Sequence, residues 1–334
     1  MNEANRPITS ADIRAATERV RPHVVRTSLT VSAPMSERTR ATVLIKAEHQ
    51  QVTGSFKLRG ALNKVLTLEP EERAAGIVTA SSGNHGIATA TAAAIDGTPC
   101  TVYLPSIASP TKVAAITKAG ARVVTVDSTD TYEAEKHARA AAVASGATYV
   151  SPYNDLGVVA GQGSVGVEIT QQMADTGRGP LDAVVVAVGG GGLISGVATW
   201  IKAHSPTTVV IGASPTNDQA MAASVAAGEI TAPPAAETFS DGTSGAVEPG
   251  AITFDLCRRL VDDWILVDEP DIARAVANMV DDHHQLVEGS AGVALAAAES
   301  WATDHPGQSV ATITCGSNVT SSALLAMLGA AQLS

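Results

Sequence analysis

The sequence predicts an α/β protein built of parallel-rich sheets covered by helices. Short runs of Val and Ile alternate with alanine-rich stretches of helical length along the whole chain. Those runs lack polar alternation, as strands in a sheet covered on both faces require. The chain has 334 residues and is 45% hydrophobic, enough for two cores at ~150 residues per domain. Alternating strands and helices then imply right-handed parallel crossovers.

Along the chain, Thr9 and Ser10 before Ala11 and Asp12 read as an N-cap with an acidic first turn. Strands are expected at residues 43–46, 77–80, 101–104, 122–126, 183–188, 209–213, 265–267 and 310–314. Helices are expected at 87–95, 111–118, 132–144, 164–173, 195–204, 272–281 and 293–303, and residues 58–66 share the helical apolar spacing. Residues 183–201 are uncharged and about as long as a membrane span, but four consecutive glycines, Gly189 to Gly192, fit a buried strand, loop and helix better. From Glu229 to Pro249 the rhythm breaks, with Pro233, Pro234, Gly242 and Gly245 inside the segment. A loop of that length is usually functional or disordered. The block 76–152 holds three or four βα units and reads as a small inserted domain, leaving 1–75 and 153–334 as the larger one.

Composition narrows the function. Lys plus Arg is 22 and Asp plus Glu is 33, a net charge of −11. Such a surface repels a phosphate backbone, and aromatics at 3% leave few stacking platforms, so nucleic acid is not an expected partner. Cys100, Cys257 and Cys315 are odd in number and widely spaced, which suits neither a disulfide framework nor a zinc knuckle. The opening MNEANRPITSADIRAA carries early charges and no apolar core, so no secretory leader and a cytoplasmic location are expected.

Four loops next to predicted strands carry the candidate chemistry. Gly189, Gly190, Gly191, Gly192 and Leu193 join a strand to a helix. Glycines there let the backbone approach an anion at the helix N-terminus, although a tight turn without ligand has the same look. Neither GxGxxG with a following acid nor GxxxxGK[ST] is present. Ser81, Ser82, Gly83, Asn84 and His85 offer hydroxyls, an amide and backbone N–H groups to a carboxylate, or form an ordinary N-cap. His85 lacks a second metal ligand at i+4, and His283–His284 reads as a helix-end feature. In TGSFKLRG, Lys57 follows a Gly-Ser-Phe turn and opens an apolar helix. An ammonium among apolar neighbours is destabilised, which favours an amine able to form an imine. The last loop, Thr314 to Asn318, reads CGSN after the final strand.

TGSFKLRG, SSGNHG, AGQGSVGVEI, GGGGL and CGSN, in chain order, resemble the pyridoxal-phosphate enzymes of fold type II, the tryptophan synthase β-like fold. The branch resembled is that of the threonine/serine dehydratases and serine racemases, from about Ile13 to Leu328. The resemblance implies a large cofactor-binding domain, a small mobile one carrying the substrate loop, and a homodimer. It implies pyridoxal 5'-phosphate in imine linkage to Lys57, which would abstract the α-proton of an amino acid. Phe56 would lie against the cofactor ring, Asn84 would bond its phenolic oxygen, and Gly189 to Leu193 would hold its phosphate. Cys315 falls where the partner of the pyridine nitrogen sits, and Glu288 matches an acidic position near the ring. Ser81, Ser82, Asn84 and His85 lie in the substrate-carboxylate loop, and Ser82 falls at the second acid/base of racemases. The implied reaction is loss of the β-hydroxyl, giving a 2-oxo acid and ammonia; the alternatives are a racemase and a catalytically silent amino-acid-binding relative.

Two departures from the family pattern stand out. Where relatives with a divalent-cation site carry Glu and, six residues on, Asp, this chain has Ser214 and Ala220, so no metal is expected at that locus. The run from Glu248 through Pro249 to Phe254 resembles dehydratases associated with hydroxyectoine use, which argues against L-threonine as the natural substrate without changing the reaction type.

Overall fold

The structure is a computed structural model and describes residues 7–332. The first six residues of the stretch read for a leader therefore lie outside it. The chain begins with α1 (Ser10–Val20), β1 (Leu29–Val31), α2 (Ala33–Thr39), β2 (Thr42–Lys46), α3 (Lys57–Leu66) and α4 (Pro70–Ala75). There follow β3 (Ile77–Ala80), α5 (Asn84–Asp96), β4 (Cys100–Pro105), α6 (Pro110–Lys118), β5 (Arg122–Val126), α7 (Thr131–Ser145) and β6 (Thr148–Tyr149). Next come α8 (Leu156–Asp175), β7 (Ala183–Ala187), α9 (Gly192–His204), β8 (Val209–Pro215), α10 (Ala220–Ala227) and α11 (Ile252–Leu260). The chain closes with β9 (Asp263–Val267), α12 (Glu269–His283), α13 (Gly289–Asp304), β10 (Ser309–Ile313) and α14 (Ser321–Ala331).

The strands form two sheets. One has six strands in the order β1-β2-β10-β7-β8-β9, and the other has four in the order β5-β4-β3-β6. Pairing is parallel throughout except at β1, which runs antiparallel to β2 along an edge. Central β7 shows why its residues carry no polar alternation. Val184 and Val186 face a core made by α8 and α9, while Ala183, Val185 and Ala187 face one made by α12 and α13. Both faces are dry, so every position is apolar. The four-stranded sheet is covered on one face by α5 and α3, and on the other by α7. Among the described residues, no helix is long and apolar enough to cross a membrane.

Thr9 caps α1 in a reciprocal capping box with Asp12, as the sequence suggests. His283 ends α12 and His284 follows in the left-handed conformation. The three cysteines are buried and free. Strands β1 and β6 span three and two residues, too short for periodicity to reveal. Helix α8 starts at Leu156, eight residues before the expected start, because its first turns are rich in glycine. Packing explains those glycines: a Cβ on Gly161 would lie 2.4 Å from the carbonyl oxygen of Arg59, so α3 and α8 cross backbone to backbone.

Beneath that crossing lies a closed ion cluster. Lys46 and Arg59 are 0% exposed. Lys46 Nζ meets Glu168 Oε2 at 2.6 Å and donates to the Thr27 carbonyl at 2.7 Å. Arg59 bonds Glu48 at 2.8 Å and Glu168 at 2.7 Å. With every charge answered, the cluster fixes α3 against β2 and α8.

Candidate active site

Parallel sheets open their ligand crevices beyond the carboxyl ends of the strands. Here the segments after β2, β3, β7 and β10 meet at a cavity of about 390 Å³. Phe56, Lys57, Ser81, Ser82, Asn84, His85, Gly189 to Gly192, Leu193, Glu288 and Cys315 all line it. Phe56 and Cys315, 259 positions apart in the sequence, thus share one wall.

Lys57 is the first residue of α3, and Phe56 is its N-cap. The Phe56 N–H donates to the Cys315 carbonyl at 3.1 Å, and Ser317 N–H donates to Gly54 at 2.9 Å, so TGSF and CGSN run alongside each other. Gly54 has φ +71°, and a Cβ there would meet Asn318 at 2.8 Å. Lys57 Nζ donates to the Pro152 carbonyl at 3.1 Å. Burial pulls its ammonium down to about 8, against the opposing pull of Cys315 and Glu288.

The SSGNH loop leaves β3 at Ala80 and enters α5 at Asn84. Asn84 Nδ2 donates to both Glu288 oxygens at 3.0 Å, and its Oδ1 accepts from Asn318 at 2.6 Å. His85 is buried, with Nε2 3.0 Å from the Val150 carbonyl. A carbonyl only accepts, so Nε2 carries the hydrogen and Nδ1 presents a lone pair, which has no partner. Burial, reinforced by the charge of Lys57, lowers this imidazole to about 3 and keeps it neutral.

The glycine turn leads from β7 into α9. Gly191 takes φ +83° as N-cap, and no side chain caps the helix, so its first N–H groups point outward. A Cβ at Gly190 would lie 2.3 Å from the Tyr153 ring, and one at Gly189 would meet Thr243 at 2.7 Å. Only glycine lets this backbone pack so closely against Tyr153 and Thr243 at the cavity. Cys315 Sγ donates to Glu288 Oε1 at 3.7 Å. Burial raises both groups, Cys315 well above its ordinary range, so the thiol keeps its proton.

Sequence reasoning missed several lining residues: Pro152, Tyr153, Lys112, Thr131, Ser290 and residues 241–246. The broken rhythm from Glu229 to Pro249 was the available signal for 241–246, and that segment is an irregular stretch between α10 and α11. Tyr153 had no signal. The site thus combines a neutralisable amine, an anion cradle, a neutral imidazole lone pair and a protonated thiol beside a carboxyl group.

A family model described as "Pyridoxal-phosphate dependent enzyme" matches residues 20–316. The chain is 38% identical over 312 residues to an L-threonine ammonia-lyase of Thermotoga maritima, covering 93% of this chain and 76% of that one. The processed form of threonine deaminase isoform 2 from Solanum lycopersicum superposes with a TM-score of 0.91 at 31% identity, over 98% of this chain and 96% of that one. Maize serine racemase superposes with a TM-score of 0.89, also at 31% identity, over 97% and 98%.

Proposed function

This chain belongs to the pyridoxal-phosphate-dependent enzymes, in the branch of threonine dehydratases and serine racemases, and from that premise we propose a specific reaction. The protein is a dehydratase that converts a β-hydroxy-α-amino acid to a 2-oxo acid and ammonia. The observation that carries this reading is Lys57, an amine lowered to about 8 inside the cavity that the uncapped glycine turn also lines.

The residues fit the cofactor on two observations. The helix start at the glycine turn has no side-chain cap, and its backbone packs so closely on Tyr153 and Thr243 that Gly189 and Gly190 leave no room for a Cβ. Ser290 Oγ lines the same cavity, buried and without a hydrogen-bond partner. Lys57 would hold the cofactor's aldehyde carbon, Gly189 to Leu193 its phosphate, Phe56 its ring face and Cys315 its ring nitrogen. When bound, pyridoxal phosphate supplies an electron sink for charge developing at the substrate Cα.

The protein's own groups do the rest. Lys57 Nζ, neutral above about pH 8, takes the α-proton. Ser81, Ser82 and the N-terminal N–H groups of α5 hold the substrate carboxylate. A neutral His85 adds no charge there. The Cys315 thiol, proton retained, would be a weak partner for the cofactor's ring nitrogen, which would favour loss of the β-hydroxyl over reprotonation at Cα.

Racemisation is the second reading, favoured by the Ser82 hydroxyl on the cavity wall. One assay separates the two. The purified protein with pyridoxal phosphate is offered serine, threonine and bulkier β-hydroxy amino acids, the last because of the Glu248 to Phe254 resemblance. The expected result is 2-oxo acid and ammonia in equal amounts; inversion at Cα without 2-oxo acid would overturn the dehydratase assignment.

A further inference from the structure

The four-stranded sheet and α5 pack on α3 through an apolar cluster, but their polar contacts to the later part of the chain are few. Among the described residues, two side chains of the segment 77–149 hydrogen-bond to residues beyond 155. One is Asn84, inside the cavity. The other is Arg139 on α7, whose Nη2 lies 2.7 Å from Glu248 Oε2.

Glu248 stands at the end of the irregular stretch 228–251, whose residues 241–246 line the cavity. The rest of that stretch is tied to the six-stranded side: Gly245 N–H donates to Asp218 at 2.9 Å and Phe239 N–H to Glu269 at 2.7 Å. Glu248 alone among its side chains crosses to the four-stranded sheet. Its backbone N–H also donates to the Tyr153 hydroxyl at 3.0 Å, and the Tyr153 ring fills the space beside Gly190. Arg139 is held for the contact by Glu135 at 2.7 Å and by the Tyr149 ring, 4.2 Å beneath its guanidinium. Helix α7 itself begins at Thr131, which lines the cavity. Glu248 Oε1 is buried without a hydrogen-bond partner, so Arg139 answers the carboxylate through Oε2.

We propose that Arg139 and Glu248 are positioning residues whose ion pair clamps the four-stranded sheet over the cavity and holds Tyr153 against the glycine turn. This rests on the dehydratase reading above. Neither residue lines the cavity, so the pair acts on closure and leaves the chemical step to other groups. Because the pair is 42% and 25% exposed, its effect is modest.

The test is a double-mutant cycle on the holoenzyme with Arg139→Ala, Glu248→Ala and both together, plus Arg139→Lys. Each single variant should raise KM about fivefold with kcat within about twofold, and the double variant should add little. Thermolysin cleavage within 228–251, located by mass spectrometry, should accelerate to a similar extent in the same three variants. Arg139→Lys should restore most of both properties. Arg258→Ala, which breaks an exposed pair with Asp255 elsewhere, sets the background. Additive effects in the double variant, or unchanged cleavage in Arg139→Ala, would overturn the clamp. If the unaltered protein turns over no β-hydroxy amino acid, the dehydratase reading fails, and the cleavage cycle still decides the clamp.

Discussion

Lys46 and Lys57 sit at the end of β2 and the start of α3, and both amines are taken out of bulk water. Their surroundings differ in one respect. Lys46 Nζ has a carboxylate, a carbonyl and the Gln172 amide oxygen within 2.9 Å. Lys57 Nζ has the single carbonyl of Pro152, with Glu288 acting only at a distance. Burial pushes both ammonium groups down, but at Lys46 an adjacent carboxylate holds the proton in place. Burial alone therefore does not mark a reactive lysine. What distinguishes Lys57 is burial without a sufficient set of partners, facing open space.

The comparison can be broken by exchanging what each lysine does. Lys57→Ala should remove turnover by at least about 10³-fold and abolish borohydride fixation of pyridoxal phosphate, with little loss of melting temperature. Fixation at Lys46 in that variant would show that the two amines are alike after all. Lys46→Ala should do the reverse. It opens a buried ion cluster and should cost about 3–5 kcal/mol in denaturant unfolding, while molecules that remain folded still fix the cofactor at Lys57.

The difference is sharpened by pH. Capture of pyridoxal phosphate at Lys57 should fall about tenfold per unit below pH 8, where the amine is protonated. The linkage has a definite sign. The unfolded chain keeps this proton up to 10.5 and the folded cofactor-free protein releases it near 8, so stability should rise with pH across that window. A Lys57→Met variant should lose that rise; if it persists unchanged, another group is titrating. The smallest effect is expected opposite Lys57, at the glycine turn. Gly190→Ala forces the Tyr153 ring aside and should weaken cofactor affinity about tenfold, read by dialysis and absorbance, with a fold otherwise intact.

Much of the site was legible because each of its loops is short and carries its own signal: glycines at a strand end, hydroxyls before a helix, a lysine after a turn. Eight of the ten strands had β-branched runs long enough to see. The buried Arg59 was not legible. In KLRG it looks like any surface arginine, and its partners Glu48 and Glu168 lie 11 and 109 residues away. Tyr153, Ser290 and Lys112 were equally silent, since a lone residue in a loop or helix has no pattern to break.

By itself the sequence determined the α/β alternation, the dry faces of β7 and the loops that line the cavity after β2, β3, β7 and β10. Those properties are local, set by side-chain branching, apolar spacing and glycine within a few residues. Only the tertiary structure decided that Lys46 is paired and Lys57 is not, that Glu248 reaches Arg139, and that Cys315 keeps its proton beside Glu288. Those outcomes depend on burial and on distances between residues far apart in the chain, and electrostatic free energy changes steeply with both.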